Sequence, residues 1–454
     1  MIKNHDELHE ECGVVAIWGD DNAAQLTYYG LHSLQHRGQE AAGIVVRNNK
    51  RKLNIHKGEG LVSEVFDKEK IEKLSGNAAI GHVRYSTAGG GGIMNVQPFL
   101  FRTLDGMMGI AHNGNIVNAN LLKKELEENG SIFNSTSDTE VLGHLIKRET
   151  GRFVDRICKS LEKIDGAFAF VILVEDALYV ARDRYGLRPL SMGRLPSGGY
   201  MFSSETCALD IAGAEYVRDV EPGEIIRVKD GIIKSKKYTE TLPICNKLCA
   251  MEYIYFSRPD SNLDGINVHT ARKTCGKTLF EEAPVEADLV IGVPDSSISA
   301  AIGYSEASGI PYEMGLIKNK YVGRTFIQPT QEMRERGVRM KLSAVSSIVK
   351  GKRVIMIDDS IVRGTTSKRI VKLLKEAGAT EVHVRIASPA IKFPCFYGVD
   401  ISTLEELISH RMNVEELCQF IEADSLAFIS MEGLKKSVKH DMDGNCDLCM
   451  SCFS

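Results

Sequence analysis

One stretch narrows the possible folds more than any other: "VIMIDDSIVRGTTSKRIVKLLKEAG", residues 354–378. An apolar strand ends in two adjacent acids, a glycine-bearing loop follows, and a helix closes at Gly378. "ADLVIGVPDSS" and "ISAAIGYSEASG" repeat the order of strand, loop and helix, with Gly309 as the stop, and "EVHVRIAS" supplies a further strand. Units of this kind build a parallel sheet that binds ligands at the C-terminal ends of its strands. The loop itself has a chemistry. Gly364 lets the backbone turn, and Thr365, Thr366 and Ser367 are candidate N-caps at a helix start that favours a phosphate. Asp358 and Asp359 repel phosphate and need another partner, either ribose hydroxyls or a divalent cation. This is not a Walker loop. The only Gly-Lys-Thr run is Gly276-Lys277-Thr278, and Ala271 stands where the motif's first glycine belongs, so that run reads as helix.

The first half has a different rhythm. Residues 13–18, 41–46 and 78–84 read as strands, and "AFAFVILVEDALYVAR" (167–182) and "EIIRVKDGIIKSKKY" read as hairpins. Helical patterns fall near 22–36, 62–74 and 139–149, so antiparallel strands layered with helices are expected. The change of rhythm places a boundary near 240–248, with one domain over 12–240 and another over 241–454. The length of 454 residues is compatible with two large domains. A net charge of −4 gives no electrostatic case for nucleic acid or an anionic membrane, and no apolar run reaches the length of a membrane span. The leader, residues 1–11, has no apolar core of a secretory signal, so a cytoplasmic protein is expected.

Eleven cysteines in such a chain read as thiols, nucleophiles or metal ligands rather than disulfides. Cys446, Cys449 and Cys452 form a C-x-x-C-x-x-C run, a strong metal signal. Its spacing does not choose between a four-thiolate zinc site and an iron–sulfur cluster. Cys12 stands alone, at the seam between the polar leader and an apolar strand. Taken by itself it reads as a buried strand cysteine.

"VIMIDDSIVRGTTSKR" resembles the phosphoribosyl-pyrophosphate (PRPP) motif of type I phosphoribosyltransferases. That resemblance implies ribose and magnesium contacts for Asp358 and Asp359, and 5′-phosphate contacts for Arg363, Gly364, Thr365, Thr366 and Ser367. It implies a pyrophosphate site at "VPDSS", with Ser296 in the magnesium shell, and a lid at 318–342 whose Arg and Lys residues would clamp pyrophosphate. "HRGQEAAG" (36–43), "GHVRYST" (81–87), "HNGN" (112–115) and "SDTE" (137–140) together resemble an N-terminal-nucleophile glutaminase domain. The joint order resembles the glutamine PRPP amidotransferase family over nearly the whole chain.

The expected architecture is therefore an αββα glutaminase sandwich followed by a parallel-sheet phosphoribosyltransferase domain. The resemblance implies that residues 1–11 are a propeptide whose loss exposes Cys12 as the nucleophile. Physical chemistry agrees, since an α-amine titrates near 8, far below a lysine, and is a local base that an amide cannot be. The resemblance further assigns Asn113 and Gly114 to the oxyanion, Arg84 to the glutamine carboxylate and Asp138 to its α-ammonium. Ammonia would pass by a closed, largely apolar route to PRPP, and "EYIYFSRPDS" (252–261) would belong to the coupling between sites. The cluster-bearing branch of the family implies a [4Fe–4S] cluster on Cys249, Cys395, Cys449 and Cys452, with Cys446 spare and Cys245 competing with Cys249. A homotetramer inhibited by purine nucleotides is a family expectation. Two rival readings are an ammonia-only transferase with an inert glutaminase half, and a PRPP-sensing regulator.

Overall fold

The structure, a computed structural model, describes residues 12–85, 92–319, 342–399, 403–438 and 448–454. The leader, most of the expected lid and Cys446 lie outside the described residues, as do Ser86 and Thr87 of the "GHVRYST" stretch.

Strands of the N-terminal half are β1 (Cys12–Trp18), β2 (Ala41–Arg47), β3 (Leu53–Glu59), β4 (Ala78–Arg84), β5 (Phe99–Thr103), β6 (Gly106–Ile116), β7 (Gly166–Val174), β8 (Leu178–Arg182), β9 (Ser191–Arg194), β10 (Tyr200–Ser203), β11 (Glu215–Asp219), β12 (Glu224–Lys229) and β13 (Ile232–Lys237). They form two sheets, ordered β11-β9-β10-β1-β4-β2-β3 and β13-β12-β8-β7-β6-β5. β1 sits inside the first sheet, antiparallel to both β10 and β4. Its alternate residues serve different layers, as the two-residue period of a strand requires. Val14, Ala16 and Trp18 pack between the sheets against Ala111, Ala169 and Val171. Val15 and Ile17 face outward onto Leu31, Ala208 and Leu209. Outside the second sheet, Phe170 and Ile172 pack on Leu142, Ile146, Ile157 and Leu161 from helices Thr139–Arg148 and Phe153–Glu162. The result is the expected αββα sandwich. The helical pattern at 62–74 resolves into two short helices, Val62–Val65 and Lys68–Lys73.

The C-terminal half holds four parallel strands, Leu289–Gly292, Arg353–Asp358, Glu381–Ile386 and Ser425–Phe428, paired in that order. Helices Val268–Glu282, Ile298–Ser308 and Met431–Val438 cover one face. Helices Thr365–Glu376 and Val414–Phe420 cover the other. Leu289–Gly292 and residues 354–357 are buried apolar runs, which made them legible; Glu381–Ile386 alternates apolar residues with His383 and Arg385, and the half-buried edge strand Ser425–Phe428 carried no such signal. Gly276-Lys277-Thr278 lies inside helix Val268–Glu282, as read. No helix among the described residues is long and apolar enough to cross a membrane.

Candidate active sites

Cys12 opens β1 and is buried, and its register partner is Arg84, the last residue of β4. The strand period puts both on the inter-sheet face, with Val14 and His82 next along. Across the gap, β6 brings Asn113, which is fully buried. Asn113 Nδ2 donates to Ser204 Oγ at 3.4 Å, and the same oxygen accepts the Val14 N–H at 3.0 Å. Ser204 therefore ties Asn113 to β1, two residues from Cys12. Asn113 Oδ1 is buried without a hydrogen-bond partner, an acceptor open to a donor group. Gly114 has φ +136°, and a Cβ there would lie 2.0 Å from the Ala167 oxygen. Only glycine fits that close approach.

Asp138 stands just ahead of helix Thr139–Arg148 but does not cap it with its side chain. Its Oδ2 instead accepts the Ile116 N–H at 2.8 Å, which binds it to the end of β6. Burial raises its affinity for a proton, but the His112 ring and the N–H groups of Ile116 and Thr139 outweigh that and hold it below the usual aspartate range. A carboxylate kept ionised in a cleft suits an ammonium. His112 stacks on Phe170 and lies 3.2 Å from Thr139 Oγ1. His82 Nε2 lies 3.1 Å from the His112 oxygen, joining the two sheets. Burial, followed by the Arg84 charge, pushes His82 down to about 3, so that histidine is neutral.

In the second half, Asp358 and Asp359 end a central strand and are 7% and 8% exposed. Ser297 Oγ donates to Asp358 at 3.2 Å, Ser296 Oγ donates to Asp359, and Ser360 Oγ donates to Asp359 at 2.7 Å. The "VPDSS" loop is thus brought onto the acid pair, and Val293 N–H bonds the Ile357 oxygen at 2.9 Å. Arg272, Ser296, Ser297, Ile254 and Asp359 line one small cavity. Hard oxygen donors of this kind suit a magnesium ion. One expectation is corrected. The helix begins at Thr365 with Gly364 as its cap in the left-handed conformation, and no hydroxyl caps it. Glycine takes the cap because that backbone is strained for the other residues. The hydroxyls are left for other work, and Thr365 Oγ1 is buried without a hydrogen-bond partner. Thr366 and Ser367 follow in the first turn, while Arg363 turns to Glu406 at 2.7 Å.

Cys249, Cys395, Cys449 and Cys452 are brought together from three parts of the chain. Cys249 and Cys449 are bridge partners, with Cys449 N–H bonding Leu248 O at 2.9 Å and Ala250 N–H bonding Cys449 O at 3.1 Å. Burial pushes the Cys249 thiol well up; the Arg188 guanidinium opposes this, and Cys449, Cys395 and Cys452 add to it. Cys452 is raised by burial and then by Cys395 and Cys449. Cys245 bonds its N–H to Arg184 O and stands outside this group. Among the described residues no three His, Cys, Asp or Glu side chains close around a point as the ligands of one ion do.

Residue spacing did not point to Ser204, Ser297, Arg272 or Arg188. Ser297 had a signal in its neighbour Ser296. The others come from distant chain segments and carry no local pattern.

The fold and the paired sites define a class: a glutamine amidotransferase module joined to a phosphoribosyltransferase module. Comparison with known proteins agrees. Residues 89–210 match the glutamine amidotransferase domain family and residues 270–389 the phosphoribosyl transferase domain family. The amidophosphoribosyltransferase of Bacillus subtilis is 61% identical, covering 100% of this chain and 95% of that protein. That of Staphylococcus aureus strain Mu50 is 54% identical over 99% and 91%. A solved structure of the B. subtilis glutamine PRPP amidotransferase, complexed with ADP and GMP, superposes with a TM-score of 0.93 at 59% identity, covering 98% and 96% of the two chains. The chain belongs to the amidophosphoribosyltransferase family. Its activity is glutamine-dependent amidotransfer to PRPP, a reaction of purine biosynthesis.

Proposed function

We propose how this chain's residues carry that reaction. The observation behind the reading is the Cys12–Arg84 register facing Asn113, in one chain with a buried acid pair on a parallel sheet. Loss of residues 1–11 frees the Cys12 α-amine as the base for its own thiol. The thiolate attacks the glutamine carboxamide. Asn113 and the Gly114 N–H stabilise the oxyanion. Arg84 grips the substrate carboxylate in fork geometry and Asp138 grips its ammonium. Ammonia leaves, and water hydrolyses the thioester to glutamate. Ammonia then moves along a largely apolar route, with residues 252–261 part of the coupling between the sites, and attacks C1 of PRPP. The C1–O bond to pyrophosphate breaks, giving 5-phosphoribosylamine.

Asp358 and Asp359 bind the ribose hydroxyls, and the 363–367 loop binds the 5′-phosphate. Its buried, unpartnered Thr365 hydroxyl supports this assignment. Magnesium would be held by Asp358, Asp359 and Ser296, where it would supply positive charge to the leaving pyrophosphate. A [4Fe–4S] cluster would be held by Cys249, Cys395, Cys449 and Cys452. The Arg188 guanidinium beside Cys249 and Cys395 supports it, since a cation balances an anionic thiolate cluster. A cluster also spreads its thiolates more widely than a single ion does. The ADP and GMP on the B. subtilis relative support feedback inhibition by purine nucleotides, and a cytoplasmic homotetramer is what the family resemblance implies.

Glutaminase and synthase assays with glutamine or ammonia as nitrogen source test the scheme. Intact mass of the active protein should show residues 1–11 missing; activity with them attached rules out the processing step.

A further inference from the structure

A loop of the second half touches the strand that carries Asn113 and Gly114, and the catalytic scheme makes no use of it. On β6 the two-residue period puts Asn115 on the same face as Asn113. Asn115 Nδ2 donates to Phe396 O at 2.8 Å. The next carbonyl of that loop, Tyr397 O, accepts from Arg188 Nη2 at 3.1 Å. Arg188 is 1% exposed and also pairs, at 3.4 Å, with Glu252, the first residue of a π-helical turn, Glu252–Phe256. Gly398 is buried at φ +104°, and a Cβ there would lie 2.6 Å from Arg188 Nη2 and 3.5 Å from Gly114 C. Three consecutive residues, 396–398, are thus seated against the end of β6.

That end of β6 needs support. Its ladder with β5 stops at the Phe99–Ile110 pair. On the other side Gly114 faces Phe168, but Phe168 gives both backbone groups to Asp183. Its N–H donates to Asp183 Oδ2 at 3.2 Å, and its oxygen accepts the Asp183 N–H at 2.9 Å. Gly114 and Phe168 are therefore a non-hydrogen-bonded pair, and the Gly114 N–H points away from β7, toward the edge where β5 has ended. His112, two residues earlier, shows the same direction, since its N–H donates to Gln97 Oε1 at 2.8 Å. The oxyanion donor thus stands outside the ladder, on the residue type with the freest backbone. Such a donor works only if it is held where the oxyanion will form. We propose that the 396–398 loop, gripped by Asn115 and Arg188, is a positioning element of the oxyanion site and fixes the direction of the Gly114 N–H. The contact is a fixed one and needs no ligand at the acid pair. The proposal rests on the functional reading above, which assigns that N–H to the oxyanion.

The test uses the full processed enzyme. Asn115→Ala removes the grip on Phe396, and Asn115→Asp keeps the shape but loses the donor. Each should lower glutaminase kcat about five- to twentyfold with the glutamine KM within about twofold, because an oxyanion donor acts in the transition state and not in substrate binding. The loss should be equal with and without PRPP, and ammonia-dependent synthesis should stay within about twofold of normal. Gly398→Ala, which crowds Arg188, should lower kcat in the same way. Combined with Asn115→Ala it should cost no more than about twice the worse single change, since both act through one loop. Asn113→Ala is measured beside them. If it keeps full kcat, the oxyanion reading falls and the loop's role falls with it. If Asn113→Ala loses kcat while both Asn115 variants keep theirs, the loop's role alone is overturned. A loss that appears in KM, or equally in ammonia-dependent synthesis, makes the contact a structural one and also overturns that role.

Discussion

In the proposed scheme Cys12 acts through its position as much as its sulfur. It is the first residue of a strand whose even-numbered side chains face the inter-sheet cleft, and slippage by one residue would turn it outward onto the helices. Cys12→Ser should abolish glutamine-dependent synthesis and leave ammonia-dependent synthesis near normal; retained glutamine use would remove Cys12 from its role. Gly114→Ala should be harsher than its size suggests. The added carbon meets the Ala167 oxygen at 2.0 Å on a backbone with φ +136°. Strain of about 1–3 kcal/mol and displacement of the Asn113 amide should cut glutaminase turnover by roughly a hundredfold or more, measured beside a melting curve. In the other half, Asp359→Asn should raise the PRPP KM while basal glutaminase persists, because this acid takes hydroxyls from Ser296 and Ser360 and lies far along the chain from Cys12.

Element pairing explains which local readings transferred into three dimensions. The strands at 12–18, 41–47 and 78–84, and both hairpins, were visible because β-branched runs and turn residues act over a few positions. The cap at residue 364 was misread for a tertiary reason: Gly364 takes the left-handed cap, and the Thr365 hydroxyl is turned inward. His82 and His112 illustrate what pairing of the two sheets adds. Each is ordinary in sequence, but together they join β4 to β6 in a buried contact. His82 is neutral in the fold, at about 3, against an ordinary value of 6.5. The unfolded chain therefore binds a proton that the native state refuses, and stability contributed above pH 6.5 is lost as pH falls toward 3. Melting temperature should fall across that window, and His82→Gln should flatten the slope; an unchanged profile would show that His82 is not the group that titrates.

At the scale of the molecule, the C-terminal residues 448–454 are tied to the body through Cys449 and Cys452, which meet Cys249 and Cys395. Protein purified without oxygen should be brown and carry about four irons per chain. Oxidative loss of that colour should release the tail, seen as faster proteolysis there and a melting point lower by several degrees; a colourless, zinc-loaded protein would exclude the cluster. Sequence by itself determined the parallel sheet with its phosphate loop, the glutaminase motifs in their order and the candidate thiols. These depend on short-range rules: strand period, turn chemistry and the donors that a ligand needs. Only the tertiary structure decided that Ser204 joins Asn113 to β1, that Ser296 and Ser297 close on the acids, and that Arg37 and Arg272 clasp one π turn. Such contacts join residues up to 215 positions apart, and burial alone makes their pairing obligatory, so no local pattern records them.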